Sequence, residues 1–156
     1  MNNTLKIFLV LLTGTLIFSC AKRSSNQNVQ TNCVYSNAQG LQVNFTILSG
    51  SGQFFPLNVT GGYIYVSGYG YQNHGILIYR VSQTQFVAFD RNCTKDGCNN
   101  SNAFVYVPTT NTTICKDSIC GSVYNIFDGS IQNGPASVAL YQYHTNWDGN
   151  QLHVYN

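Results

Sequence analysis

The chain has 156 residues, about the length of one domain, and carries a formal net charge of +2. Charged residues make up only 8% of it, which excludes a basic nucleic-acid-binding patch. All five acidic residues are scattered aspartates, an arrangement that argues against a two-carboxylate glycosidase.

The first twenty residues are typical of an export signal. A single lysine, Lys6, precedes an apolar run at residues 7–18, which is shorter than the ~20 residues that a membrane span needs. Ile17, Ser19 and Cys20 then resemble the lipobox of bacterial lipoproteins. The resemblance implies removal of residues 1–19 and diacylation of the Cys20 thiol (palmitate-type chains), which anchors a protein stably. An ordinary signal peptide with an incidental cysteine remains the alternative.

Residues 20–32 form a polar stretch that follows the lipidated cysteine. Apart from Val29 it has little apolar surface to bury, so we expect a flexible tether, with one folded β domain over residues 33–156. No acidic run follows Cys20. We therefore expect a lipid-anchored protein of the bacterial cell envelope, held at the outer membrane and facing the periplasm.

Strand signals fill the rest of the chain, and no window has helical periodicity. Apolar and polar residues alternate from Leu41 to Ile47, which predicts a half-buried strand. Asp128-Gly129 and Asp148-Gly149 are hairpin signals. Seven or eight short strands predict an all-β sandwich or small barrel; the further strands are expected at residues 63–66, 76–81, 85–90, 104–107, 123–127, 138–145 and 151–155.

A glycine-rich and tyrosine-rich region precedes the third predicted strand. Residues 68–75 lack the following helix that a phosphate-binding loop requires, so a hairpin loop is predicted. The tyrosines of this region either offer a partner surface or are strand and core aromatics; they are Tyr63, Tyr65, Tyr69 and Tyr71.

Four cysteines form two Cys-x4-Cys pairs, Cys93 with Cys98 and Cys115 with Cys120, in turn-rich segments 92–102 and 109–121. They suit either a four-thiolate metal site or two disulfides. The spacing lies at the edge of what zinc sites use, and export favours disulfides, but spacing cannot choose among the three pairings. Cys33 is left over, and we expect a buried or unpaired thiol near the tether.

The same region resembles a known family. Residues 93–98, Cys-Thr-Lys-Asp-Gly-Cys, resemble the C-T-H-x-G-C loop of Rieske [2Fe–2S] proteins, and residues 120–124 resemble the H-G-S-x-[YF] end of their second loop. Gly129, residues 134–136, Leu140 and Tyr143 resemble the family's trailing pattern. Residues 78–80 and 89–91 resemble Rieske-like lipoproteins of Bacteroidetes type. The resemblance, over roughly residues 60–156, implies stacked antiparallel sheets with two cysteine-containing loops at one tip.

The ligand positions of this resemblance are degenerate. Cys93 and Cys115 match the two cysteine ligands, but Lys95 and Cys120 stand where the two histidines belong. An ammonium group has no lone pair for iron, and the three histidines, His74, His144 and His153, lie in neither loop. A normal [2Fe–2S] cluster is therefore not expected. The leading expectation is that the protein holds no cofactor.

The resemblance also suggests what replaces the cluster. Cys98 matches the first-loop partner of a disulfide that joins the two loops in respiratory Rieske proteins, which implies bonds Cys98–Cys115 and Cys93–Cys120. The alternative is a [2Fe–2S] or zinc site on Cys93, Cys98, Cys115 and Cys120. An iron–sulfur cluster there would make the chain an electron-transfer protein of the envelope.

No enzymatic pattern accompanies these cysteines. The chain has no G-x-S-x-G, H-E-x-x-H or Cys-x-x-Cys motif, so a non-enzyme is predicted. The leading interpretation is a membrane-anchored Rieske-like lipoprotein that acts as a structural or interaction module for an envelope protein partner. An iron–sulfur electron carrier and a thiol–disulfide partner of an envelope oxidoreductase remain the alternatives.

Overall fold

The computed structural model describes residues 41–95 and 100–156. Within these ranges the chain forms short strands, two 3-10 turns (Phe55–Asn58 and Tyr71–Asn73) and no helix long and apolar enough to cross a membrane. The strands are β1 (Asn44–Leu48), β2 (Tyr63–Val66), β3 (Ile76–Arg80), β4 (Phe86–Asp90), β5 (Val105–Tyr106), β6 (Ile114–Asp117), β7 (Val123–Asn125), β8 (Ile131–Asn133), β9 (Gln142–Trp147) and β10 (Gln151–Tyr155).

Two antiparallel sheets carry these strands. The larger has the order β1-β10-β9-β4-β3-β2, and the smaller has the order β5-β6-β7-β8. Every strand pair in them is antiparallel. The predicted all-β fold of antiparallel sheets is confirmed.

Strands β3 and β4 bury both of their faces, because an apolar cluster lies on each side of the large sheet. On β3, Ile76 and Ile78 belong to one cluster, while Leu77 and Tyr79 belong to the other. Successive side chains of a strand point to opposite faces, so a strand between two cores has a continuous apolar sequence. This explains the unbroken apolar runs that predicted both strands.

The second cluster joins the two sheets. Val105, Cys115 and Tyr124 from the small sheet belong to the same buried cluster as Leu77 and Phe89 from the large one. All five side chains have 0% of their surface exposed. The small sheet is therefore held against the large sheet by apolar packing, and its turns are positioned by that contact.

The structure differs from the sequence-based expectation in the segment 109–121, which was predicted as a turn-rich loop. Ile114–Asp117 forms β6 there, with the alternating pattern half-buried, buried, exposed, buried. Its two buried positions hold Cys115 and Asp117. A buried cysteine and a buried aspartate that follow a threonine-rich segment do not give the apolar alternation by which strands are recognised.

Two of the tyrosines considered as a partner surface are strand residues. Tyr63 and Tyr65 lie half-buried on β2 and pack against the second cluster. The Tyr65 hydroxyl accepts the backbone N–H of Val107 at 2.8 Å. The interpretation of these two as strand aromatics therefore accounts for their contacts.

Several predictions fall on residues outside the described ranges. They are the signal sequence at residues 1–19, the lipidated Cys20, the tether at residues 20–32, Cys33 and Cys98. All of these stay predictions.

Candidate functional site

The first cysteine of the site follows directly after a buried strand. β4 ends at Asp90, and Cys93 comes three residues later with 0% of its surface exposed. The Cys93 backbone N–H donates to the Ala103 carbonyl at 3.0 Å, and Asn92 forms an antiparallel bridge with Phe104. These backbone contacts hold the Cys93 sulfur at the end of the large sheet.

The second cysteine lies in the turn between β6 and β7. The Asp117 backbone N–H donates to the Ser122 carbonyl at 2.8 Å and closes this turn. Inside it, Asp117 Oδ1 accepts the backbone N–H groups of Ile119, at 2.8 Å, and of Cys120. Gly121 has φ +74°, a conformation that glycine adopts easily. The turn therefore presents Cys120 at the end of the small sheet.

The two sulfurs lie close together. Cys93 Sγ and Cys120 Sγ are 3.7 Å apart, and a carboxylate oxygen of Asp117 lies within 4.8 Å of both. The Lys95 backbone N–H donates to Cys93 Sγ at 3.4 Å. Ser122 Oγ lies 2.9 Å from Cys120 Sγ. Each sulfur thus has a polar hydrogen within reach that can stabilise a thiolate.

The Asp117 carboxylate is only partly satisfied. Its side chain has 1% of its surface exposed, and Oδ1 holds the turn. Oδ2 is buried and has no hydrogen-bond partner in the described structure. A buried carboxylate oxygen without a partner is costly, so we expect a cation or a hydrogen-bond donor to complete the site.

Cys115 lies elsewhere, although the resemblance assigned it to the tip. It is paired with Tyr124 in the middle of the β6–β7 ladder, and its side chain packs in the second apolar cluster. Burial raises the pKa of its thiol to about 12. The structure does not bring Cys115 to the Cys93–Cys120–Asp117 group. Its bond with Cys98 stays a prediction, since Cys98 is outside the described ranges.

The residues present do not fit a histidine-ligated [2Fe–2S] cluster. Lys95, at the position of the first histidine, has an exposed side chain. The His74 Nε2 atom is engaged with the Ser101 carbonyl at 2.6 Å, while His144 and His153 lie on β9 and β10 with their rings beside Tyr155. Over residues 41–95 and 100–156, the one group of close metal-ligating side chains is Cys93, Asp117 and Cys120.

Two residues of the site were not predicted from the sequence. Asp117 stands three positions before Cys120, which is a spacing that lets an aspartate accept the N–H groups of a following turn. Ser122 was noted only as part of the family resemblance. Its Oγ also accepts the Ala136 N–H at 3.0 Å, and this leaves the hydroxyl proton able to donate to Cys120.

The whole chain has distant similarity to known structures only. No family model matches it, and no curated protein sequence matches it. It is similar to a chain from the complex of reduced oxygenase and oxidized ferredoxin in carbazole 1,9a-dioxygenase, with 18% identity over 73% of this chain and 94% of that chain and a TM-score of 0.48. It is also similar to a ferredoxin of Sphingomonas yanoikuyae B1, with 17% identity over 59% of this chain and 84% of that one and a TM-score of 0.43. These similarities assign neither a family nor an activity.

Proposed function

We propose that this protein is a membrane-anchored, Rieske-like lipoprotein domain that acts as a structural or interaction module, without enzymatic activity. In it, sulfur chemistry between Cys93 and Cys120 joins the two tip loops in place of a histidine-ligated cluster. The observation that carries the proposal is the 3.7 Å separation of the two sulfurs, while the histidines lie in other contacts.

The linkage proposed is a disulfide formed after export. Two thiols lose two protons and two electrons to an oxidised thiol oxidase or a small-molecule disulfide, and one S–S bond forms. The bond closes a loop between residues 27 positions apart in the chain. Loop-closure entropy gives a bond of this span about 3–4 kcal/mol of stabilisation. It would tie the first cysteine loop to the β6–β7 turn.

We also propose that a protein partner docks beside the site. Ile119, next to Cys120, has 53% of its surface exposed although it is a large aliphatic residue. The partner proposed is another protein of the cell envelope, and the lipid at Cys20 supplies the membrane contact. This part of the proposal is supported by the N-terminal sequence and by the exposed side chain at the tip.

The linkage is tested on the full chain, isolated in detergent from its membrane fraction without reductant. We expect a colourless, iron-free protein, and peptide mapping after alkylation should recover Cys93 and Cys120 in one disulfide. A Cys120→Ser variant should lose this bond, while Cys33→Ser should keep it. A brown protein with about two irons would overturn the proposal.

The anchor is tested separately. A Cys20→Ser variant should leave the membrane fraction and appear in the soluble fraction of the envelope. If it stays with the membrane as the parent chain does, the lipid-anchor proposal is wrong.

A further inference from the structure

The Cys93–Cys120–Asp117 group provides ligand atoms for a single metal ion. Two sulfurs and one carboxylate oxygen lie within 4.8 Å of one another, and they come from two separate loops. The carboxylate is buried, and its Oδ2 has no hydrogen-bond partner in the described structure. The structure thus offers three ligand atoms, one of them on a buried carboxyl group whose second oxygen has no hydrogen-bond partner there.

The spacing of the sulfurs matches tetrahedral coordination. Two sulfurs bound at about 2.3 Å to a tetrahedral Zn²⁺ ion lie about 3.8 Å apart. The observed separation of Cys93 Sγ and Cys120 Sγ is 3.7 Å. The pair is therefore already placed as two neighbouring ligands of one zinc ion.

We propose that the reduced protein binds one Zn²⁺ ion through Cys93 Sγ, Cys120 Sγ and Asp117 Oδ2. Zinc accepts both thiolate and carboxylate ligands, and sites with three protein ligands keep a fourth position for water. Copper(I) favours sets made of thiolate and thioether alone, so the carboxylate argues against it. The inference uses the two cysteines of the proposed function, but in their thiol state.

The charges and protons of this step balance. The two thiols release two protons to the solvent, and Zn²⁺ with two thiolates and one carboxylate carries a net charge of −1. The Lys95 backbone N–H and the Ser122 hydroxyl then act as donors to the bound sulfurs. No change of oxidation state is involved, whereas disulfide formation would remove both sulfur ligands. Zinc and the disulfide are thus mutually exclusive states of one tip.

The ligand set differs from the one that the spacing of the cysteines suggested. Asp117 replaces Cys115. Both side chains lie on the buried face of β6, but Cys115 is within the apolar cluster in the middle of the ladder, whereas Asp117 is the last residue of the strand. A four-cysteine site and a Cys₂Asp site thus predict different metal binding by the variants Cys115→Ser and Asp117→Asn.

The test uses the full chain in detergent, reduced with a phosphine, and Co²⁺ as a spectroscopic probe that Zn²⁺ displaces. We expect one Co²⁺ per chain with thiolate-to-cobalt charge-transfer absorption. Asp117→Asn should weaken Zn²⁺ binding at least tenfold, since the amide keeps Oδ1 for the turn and removes the charged ligand. Asp128→Asn is the matched control, because Asp128 also accepts hydrogen bonds in a turn but is exposed.

Zinc binding by the parent chain and by the variants decides between the outcomes. Wild-type affinity in Asp117→Asn, or no binding by the reduced parent chain, would overturn the zinc proposal. Loss of binding in Cys115→Ser with retention in Asp117→Asn would also overturn it, in favour of four thiolates. Folding of each variant is checked by thermal unfolding, in which Zn²⁺ should raise the midpoint of the parent, of Asp128→Asn and of Cys115→Ser, and should raise that of Asp117→Asn less. Formation of the Cys93–Cys120 disulfide in Asp117→Asn, monitored by mass spectrometry, tests the proposed function independently of zinc binding.

Discussion

Thr94 and Tyr124 connect the first cysteine loop to β7, with their hydroxyl oxygens 2.9 Å apart. The Thr94 hydroxyl donates its single proton to the Val138 carbonyl at 2.6 Å, so the Tyr124 phenol must be the donor of the bond between them. Burial raises the pKa of Tyr124, and the neighbouring Cys93, Cys120 and Asp117 raise it further. The phenol therefore keeps the proton that this bond requires.

We expect Tyr124→Phe to lower the free energy of unfolding by about 1–2 kcal/mol, because it removes a buried donor and little packing volume. Urea unfolding measures the loss. Tyr106→Phe is the control, since Tyr106 lies on the exposed side of β5, and it should change stability by less than about 0.5 kcal/mol. If Thr94→Val and Tyr124→Phe prove additive in the double variant, the two hydroxyls are not coupled and the inferred bond is wrong.

Strands could be predicted from the sequence where the strand itself contains the apolar residues that become buried. β2, β3, β4 and β10 appear at the predicted places, within a residue at either end. β6 and β8 could not be predicted, because β6 buries a cysteine and an aspartate and β8 consists of partly exposed Ile131 and two exposed polar residues. Their pairing depends on partners distant in the chain.

The site was predictable only in part. The approach of Cys93 to Cys120 followed from the family resemblance, and spacing alone left three pairings open. Asp117, between Lys116 and Ser118, has the sequence context of a surface residue. Its burial depends on pairing with Val105 of β5 and on the turn to Ser122, which are contacts that local sequence does not encode. The resemblance also could not show that Cys115 lies in the middle of the β6–β7 ladder, within the apolar cluster.

A second prediction concerns Asp90, a buried carboxylate. Its Oδ2 accepts the Tyr71 N–H at 2.7 Å and the Tyr143 hydroxyl at 2.8 Å, and its Oδ1 accepts the Asn92 N–H at 2.8 Å. Burial raises the pKa of Asp90, while these hydrogen bonds oppose the shift. Because the pKa is higher in the folded state, the stability that Asp90 contributes is complete below the unfolded pKa of about 4 and is lost as the pH rises through the folded pKa.

Removing the Tyr143 hydroxyl should therefore cost more at high pH. It takes a donor from the charged carboxylate and raises the pKa of Asp90 further. We expect Tyr143→Phe to cost about 1 kcal/mol at pH 4 and about 2–3 kcal/mol at pH 8. Urea unfolding at both pH values checks this, with Tyr155→Phe, an exposed tyrosine, as the control. Equal losses at the two pH values would show that the hydroxyl does not stabilise the charged form.

A third prediction separates the cysteines by reactivity. Burial raises the pKa of Cys115 to about 12, whereas Cys120 is partly exposed in its turn. The thiolate is the reactive form, so at pH 8 only about one Cys115 thiol in ten thousand is ionised. In the reduced, folded protein we expect iodoacetamide to label Cys120 at least about a hundredfold faster than Cys115. Peptide mass mapping over time gives both rates, and urea should abolish the difference. Comparable rates before unfolding would place Cys115 outside the core.

The last prediction compares two glycines with nearly the same backbone conformation. Gly134 has φ +100° and Gly149 has φ +98°, so alanine carries a similar backbone cost of about 1–2 kcal/mol at either position. Their surroundings differ. A Cβ on Gly134 would lie 2.6 Å from Ser122 Cα, while a Cβ on Gly149 would meet nothing within 4 Å. Gly134→Ala should therefore lose at least about 1 kcal/mol more than Gly149→Ala in urea unfolding.

Because Ser122 must shift to admit the methyl group, Gly134→Ala should also slow formation of the Cys93–Cys120 disulfide by glutathione disulfide. Gly149→Ala should leave this rate unchanged. Equal stability losses and equal rates would mean that the β7–β8 hairpin does not position the turn that carries Cys120.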